Sequence, residues 1–445
     1  MNGRRNPALG RQRATTLLTC LLLSTVSALA AGEGEAPGQP RLITSTPSTL
    51  VSAPSAGEVG APAEPRILSP TPSTFETLSR FTELLDTLQK KYVQPSRVNA
   101  EWYTTAGLRA FVRSIDPDAD LLTPEEAAST DDHNADASDI GVAFVTRGGI
   151  PTVVCPHDGT PAQRAGLLAG DQIIAIDNSS TLLARRSEVE RLLRGAPDSE
   201  VSVRVVDPVS EAVRVLRLHR AAPGQGPEPV LKVLDKGIAY YRLPEFSTNA
   251  VEGLRTAMTL ARSGHATGVI LDLRNNPGGS FLTVPPAASL FLPKDAEIAS
   301  LEYAAPALHA DFLSEDGPKV TVPVILLVNS GTAAEAEAFA AALQDNHRAQ
   351  VVGSKTFGRG FLAASARMAN GSVLVMPTAY YMRPSKEIIQ DRGLTPDVVV
   401  EWPRELERSA SSAGFGTFNW KDNKTAVLSA DPPLAKALSR LSTTN

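Results

Sequence analysis

Apolar residues recur at helical spacing at Phe75, Leu78, Phe81, Leu85, Leu88 and Tyr92. Ser73-Thr74-Phe75-Glu76 ahead of them has the capping-box pattern, so an amphipathic helix is predicted. A second amphipathic stretch covers Glu101 to Ile115. From Ser138 to about Pro223 the pattern changes. Short apolar runs at Ile140–Phe144, Thr152–Cys155, Val201–Val205 and Val213–Leu218, with one helix at Ser187–Arg194, predict a small β-rich domain. From about Val230 to Pro403 strands and helices alternate. Strands are read at Ile238–Leu243, Gly268–Leu273, Val324–Val328 and Val373–Thr378, and helices at Val251–Ala261 and Ala333–Leu343. This alternation argues for an α/β layer structure. Beyond Arg404 only Ala435–Leu441 stands out, as a short apolar helical patch that packs on the body or on a partner subunit.

The chain has 445 residues, room for roughly two to four domains. Hydrophobic residues make up 42% and charged residues 20%, the balance of a soluble globular protein. With a net charge of −5, nothing marks a nucleic-acid binder. Arg4, Arg5, Arg11 and Arg13 precede an apolar run from Leu17 to Leu29 that ends Ala28-Leu29-Ala30. This reads as a secretory signal peptide over 1–30, with an uncleaved anchor as the alternative. An exported protein of the periplasm or cell envelope is expected, with no transmembrane segment after signal cleavage. Residues 31–72 are a Pro/Ser/Thr-rich linker that cannot bury enough apolar surface to order itself. It contains a near-repeat, Pro40–Leu50 and Pro65–Phe75, read as a duplicated linker or docking motif with the plain linker preferred. Cys20 lies in the apolar run, so Cys155 remains alone as a small half-buried strand residue, without an intrachain disulfide. The histidines are scattered, and neither a metal site nor a cofactor is expected.

The string Gly159-Thr-Pro-Ala-Gln-Arg-Ala-Gly-Leu-Leu-Ala-Gly-Asp-Gln-Ile-Ile-Ala-Ile-Asp177 resembles that of a PDZ domain. Such domains add an extended peptide to a sheet edge and hold its terminal carboxylate on backbone amides of a short glycine loop. The resemblance implies that the loop is Asp139, Ile140, Gly141 and Val142. On the residues alone, Gly141 relieves a tight strand start.

Asp272-Leu-Arg-Asn-Asn-Pro-Gly-Gly279 follows a buried strand, and paired glycines there let backbone amides point at a reacting carbonyl oxygen. Val328-Asn-Ser-Gly-Thr-Ala-Ala-Glu-Ala-Glu337 leaves another strand and opens a helix, with Thr332 and Glu335 fitting a capping box. Val351-Val-Gly-Ser-Lys-Thr-Phe-Gly-Arg-Gly360 comes next. Together with Ser114–Ala127 and the run from Ala379 to Val398, these strings resemble the carboxyl-terminal processing (tail-specific) serine peptidases. The resemblance implies an oxyanion-hole loop at Gly278 and Gly279, and a serine nucleophile in an S-A-S-A-S-E-like run. It further implies a lysine base about 25 positions later and a glutamine four beyond it. Those three positions here hold Ala334, Arg359 and Ala363. A methyl group cannot attack a carbonyl, and a guanidinium stays protonated with no lone pair to accept a proton. Ser330 and Lys355 share the spacing, but a four-residue shift moves a strand residue roughly 13 Å and a helical one about 6 Å, so they fall out of register. Ser280 reads as a turn residue.

The expected fold class is multidomain α+β. It comprises a helical N-terminal region (73–130), a β-rich PDZ-like domain (138–223), an α/β peptidase core of the ClpP/crotonase kind (228–403) and a C-terminal extension (404–445). The expected function is that of a proteolytically inactive homologue, binding polypeptide C-terminal tails or an active peptidase of the same family in a homo- or hetero-oligomer. The alternatives are an active serine peptidase with relocated catalytic groups and a non-catalytic envelope interaction protein.

Overall fold

The computed structural model describes residues 74–132, 138–222, 228–264, 266–303 and 309–443. The expected signal peptide and linker lie outside the described residues, as does Ser73 of the first capping-box pattern. Helices α1 (Thr74–Lys91) and α2 (Ala100–Ile115) match the helical spacing. Asn99 caps α2 by accepting from the Trp102 amide at 2.9 Å. Next come strand β1 (Asp120–Leu122) and helix α3 (Pro124–Asp132). Local pattern predicts only a turn and a helix start here. β1 forms because it pairs antiparallel with Val373–Val375, about 250 residues on.

Strands β2 (Val142–Arg147), β3 (Ile150–Pro156), β4 (Gln172–Ile176), β5 (Ser179–Ser180), β6 (Glu200–Val206) and β7 (Val213–His219) form an antiparallel sheet. Its order is β2-β3-β4-β6-β7, with β5 on β4, which leaves β2 as an edge strand. Helices α4 (Pro161–Arg164) and α5 (Arg186–Leu193) cover it, and Ile140, Phe144, Val153, Ile173, Val189 and Val203 fill its core.

The remaining chain builds two more sheets. Strands β8 (Val230–Val233) and β9 (Ile238–Arg242), helix α6 (Thr248–Ser263), strand β10 (Gly268–Asp272) and helix α7 (Val284–Ala288) come first. Strands β11 (Glu297–Tyr303), β12 (His309–Leu313) and β13 (Val324–Val328), helix α8 (Glu335–Asp345) and strand β14 (Gln350–Gly353) come next. Strands β15 (Phe361–Arg367), β16 (Val373–Met382) and β17 (Val398–Val399) complete the set. The first sheet runs β17-β14-β13-β10-β9-β8, parallel except for the antiparallel edge strand β8. The second is antiparallel, β1-β16-β11-β12, with β15 also on β16.

A parallel sheet must be covered on both faces. Val269 and Leu271 of β10 share a buried cluster with α6, α7, α8 and the antiparallel sheet. Ile270 points the other way, into a cluster with Leu434, Ala437 and Leu441. Those residues belong to the last of three terminal helices, α9 (Arg404–Ala413), α10 (Trp420–Ala430) and α11 (Pro432–Thr443). The C-terminal extension, mostly unassigned from sequence, is therefore a covering layer of the core. α9 also reaches the β2–β7 sheet domain. Arg404 bonds Asp171 at 2.7 Å and Asp207 at 2.6 Å, and Arg408 bonds Asp207 at 2.8 Å. Among the described residues, no helix is long and apolar enough to cross a membrane.

Arg274 and Asp272 are fully buried and paired at 2.6 Å, and Arg274 also meets Asp431 of the loop before α11 at 2.8 Å. Removing one partner of such a pair strands the other charge. Arg274→Ala is expected to cost about 3–5 kcal/mol, read as a lower denaturant midpoint. Lys90→Ala, which breaks the exposed pair with Asp86, should leave that midpoint unmoved.

Candidate functional site

The glycine loop and the start of α8 meet at the ends of β10 and β13. Asn329 ties the two loops together: its Oδ1 accepts from the Asn275 amide at 2.8 Å and the Gly331 amide at 3.1 Å. The Ala333 amide donates to Asn276 O at 2.9 Å. Gly278 and Gly279 adopt φ of 102° and 149°. A Cβ on Gly278 would lie 2.8 Å from the Ala334 methyl, and one on Gly279 would lie 2.8 Å from the Phe246 carbonyl carbon. Only glycine fits either place, and the resemblance-derived loop does face the position of Ala334.

The capping-box expectation for Thr332 and Glu335 is wrong. Helix α8 begins at Glu335 with Ala334 as its N-cap residue. The Thr332 hydroxyl donates to Leu273 O at 2.8 Å and accepts from the Asn329 amide at 3.1 Å, so it pins the preceding loop instead. Glu335 turns away from Thr332. Its Oε2 accepts from the Gly279 amide at 2.8 Å, and its Oε1 accepts from the Tyr381 hydroxyl at 2.7 Å. The reciprocal bond to the N-cap comes from Glu337, whose Oε2 accepts from the Ala334 amide at 3.0 Å. Ala334 has no side-chain acceptor to complete the box.

Ala334 is buried, at φ 51° and ψ −118°. A residue with a Cβ is strained there. The turn thus keeps a shape that presents the side chain of position 334 to the glycine loop, although that side chain is a methyl group.

Glu337 joins this turn to the segment carrying Arg359. Its Oε2 also accepts from the Arg359 amide at 2.9 Å, while its Oε1 accepts from the Gly358 amide at 2.8 Å and from the Thr356 hydroxyl. Burial pushes its carboxyl up to about 7, against the lowering effect of these donors. Arg359 is thereby brought beside Ala334. Its guanidinium lies 5.2 Å from the Phe361 ring and makes no hydrogen bond or ion pair with the described residues, and its Nε is fully buried. Burial lowers its pKa, and Arg186 lowers it further, while Glu335, Asp118 and Tyr381 oppose the shift. Ala363 lies exposed on β15, two residues beyond Phe361, and offers no group to orient a base. Lys355 is exposed and no hydrogen bond links it to Ser330. The functional positions of Glu335 and Glu337 were missed in the sequence. Their signal was two acids at alternate positions in an alanine run otherwise suited to burial.

In the β2–β7 domain, Gly141 has φ 72°, and a Cβ there would collide with the Thr160 side chain. Its carbonyl accepts from the His157 amide at 2.9 Å and the Thr160 hydroxyl at 3.0 Å. Ile140 is fully buried, and its carbonyl accepts from the Ala162 amide at 2.8 Å. The Gly141 amide donates to Asp139 Oδ1 at 2.8 Å. The loop leads into edge strand β2, and the domain docks directly against the α8 start. Cys155 and Val154 pack on Ala333, so Cys155 is fully rather than half buried. Arg242 of β9 bonds Asp158 at 3.1 and 3.2 Å, and Arg147 stacks on Phe357 at 4.0 Å.

An edge-strand domain carried on a layered α/β core, with a glycine loop facing a strained helix start, defines a peptidase-type scaffold with a PDZ domain. Family models agree: a PDZ domain matches residues 152–207 and peptidase family S41 matches residues 237–400. A carboxyl-terminal-processing protease of Synechocystis sp. is 32% identical over 326 residues, covering 71% of this chain and 75% of that protein. The carboxy-terminal processing protease CtpA of Bacillus subtilis is 28% identical over 339 residues, covering 72% and 69%. Among solved structures, the photosystem II D1 C-terminal processing protease superposes with a TM-score of 0.63 at 25% identity, covering 76% of this chain and 96% of that one. The chain belongs to the carboxyl-terminal processing protease family.

Two outcomes follow from the turn and from Glu337. Ala336→Gly, inside the helix, should cost about 1 kcal/mol. Ala334→Gly should cost nothing or stabilise, because glycine relieves about 1–3 kcal/mol of backbone strain. Denaturant midpoints of the two variants test the contrast. The folded Glu337 carboxyl titrates near 7 against an ordinary 4.5. Between these values the folded chain holds a proton that the unfolded chain has lost, so this group's contribution to stability falls as pH rises from 4.5 to 7. A ¹³C-glutamate titration should show a carboxyl moving near pH 7 that is absent from Glu337→Ala.

Proposed function

We propose that this chain is an exported, proteolytically silent member of its family that binds polypeptide C-terminal tails, or an active family peptidase, as a scaffold or regulator. Export rests on the signal-like start, and tail binding on the PDZ domain with its edge strand β2. Silence rests on one observation above all. The place of the nucleophile is a methyl group, and the glycine-loop amide that would meet a developing oxyanion already holds the Glu335 carboxylate. Laid on the S-A-S-A-S-E run, Glu335 replaces an alanine beside the missing serine. It is therefore a further departure, besides Ala334, Arg359 and Ala363. A bound carboxylate leaves the amide neither free nor neutral in surroundings for charge that forms during acyl transfer. The Thr332 hydroxyl does not substitute, since it is committed to Leu273 and Asn329.

The purified chain should leave an unfolded, tail-bearing substrate intact and stay unlabelled by a fluorophosphonate, while a serine-bearing relative cleaves and labels. Cleavage that disappears in Ser330→Ala/Thr332→Val would overturn silence and favour relocated groups. The triple variant Ala334→Ser/Arg359→Lys/Ala363→Gln should remain inactive, and adding Glu335→Ala should produce the first cleavage. If the triple variant already cleaves as fast as the quadruple one, Glu335 does not block the site.

A further inference from the structure

We propose that Arg359, in the place of the family's catalytic base, has become an anchor for an acidic side chain carried about six residues upstream of the C-terminus of a bound polypeptide tail. This rests on the tail-binding reading and adds to it the class of tail and the residue that selects it.

An arginine with a buried Nε and no hydrogen-bonded partner is costly, because removing its charge from water is not compensated. The nearest carboxylates do not satisfy it. Glu335 is committed to Gly279 and Tyr381. Asp118 influences Arg359 electrostatically but makes no ion pair with it. A carboxylate from outside would supply the missing partner.

The fold supplies a path. β2 is the edge strand onto which an extended peptide can add. Its first residue, Val142, belongs to the loop expected to receive the terminal carboxylate. Its last residue, Arg147, donates to Phe357 O at 3.1 Å, two residues before Arg359. A peptide paired antiparallel with β2 starts its terminus at the loop and passes Arg147 after about six residues, or roughly 20 Å. Arg186 stands along the same edge, its Nη1 3.4 Å from Phe144 O, at the long end of hydrogen bonding and easily displaced by an added strand. Arg147, Arg186 and Arg359 outnumber Asp118 and Glu190, the latter already paired with Arg186 at 2.9 Å, so the balance of charge on this path is positive and complements an acidic tail. Because Asp139 already holds the Gly141 amide, a terminal carboxylate must displace it, and an upstream anchor contributes correspondingly more to selection.

The experiment is fluorescence anisotropy with the full chain and labelled ten-residue tails. One tail carries Glu at the sixth position from its end, one carries Gln there, and a third is the Glu tail ending in a carboxamide. The Glu→Gln change should weaken binding about tenfold or more to the native chain and leave it unchanged for Arg359→Met. Arg359→Lys should retain part of the preference, which separates loss of charge from misfolding. The carboxamide tail should keep the Glu preference while binding more weakly overall; a Glu preference lost with the carboxamide would place the terminal carboxylate, not the side chain, on Arg359 and overturn the proposal. Tail binding that ignores both the Glu→Gln change and Arg359→Met overturns this proposal and leaves tail binding standing. Absence of binding by every tail overturns both.

Discussion

The buried charge at the carboxyl end of β10 organises the molecule. Asp272 is out of reach of water, and burial alone would raise its pKa; the Arg274 guanidinium and its hydrogen bonds outweigh that and keep it ionised. Such a pair is tolerable only if every remaining donor and lone pair finds a partner. Tyr240 donates to Asp272 at 2.7 Å, Arg274 reaches Asp431 ahead of α11, and Phe415 lies 4.1 Å from the guanidinium. Arg242, whose Nη1 donates to Asp272 O at 3.1 Å, extends the network to Asp158 of the PDZ domain. Sheet end, glycine loop, terminal helices and PDZ domain are thus held by one set of charges.

The candidate site is ordered around a methyl group at position 334. The α8 start is strained, the glycine pair remains open at Cα, and Glu337 still connects the turn to the Arg359 segment. Two amides expected to meet a ligand's negative oxygen instead meet the chain's own carboxylates, Glu335 at Gly279 and Asp139 at Gly141, and the Gly278 amide donates to Asn276 Oδ1 at 2.9 Å. These contacts satisfy the donors and remove the cost of leaving them unpaired. Arg359 is the exception, a cation whose family counterpart had a chemical task and whose own partner is not among the described side chains.

Much of this was legible in the chain. Short, nearly continuous apolar runs marked β9, β10 and β13, because parallel strands covered on both faces need little besides apolar residues. The G-T-P-A string marked the PDZ resemblance that placed one loop at Asp139–Val142, and D-L-R-N-N-P-G-G marked the other; the backbone angles and close approaches of Gly141, Gly278 and Gly279 exclude other residues. Ala334, Arg359 and Ala363 were readable as departures from the family pattern from residue type alone.

Tertiary structure decided the rest. The three-residue strand β1 owes its existence to Val373–Val375, and α9–α11 owe their place to the uncovered face of the parallel sheet; neither cause lies within a local window. Thr332 was assigned to a cap because hydroxyl-to-acid spacing is local, but its nearest acceptor proved to be Leu273, just past the end of β10. The partners of Glu335, Glu337 and Arg359 lie tens of residues away or are missing altogether. Sequence by itself determined which groups stand at positions 334, 359 and 363, because that follows from the atoms a residue carries. Only the folded chain decided where the remaining charges go, because hydrogen bonding and burial depend on neighbours that the order of residues does not reveal.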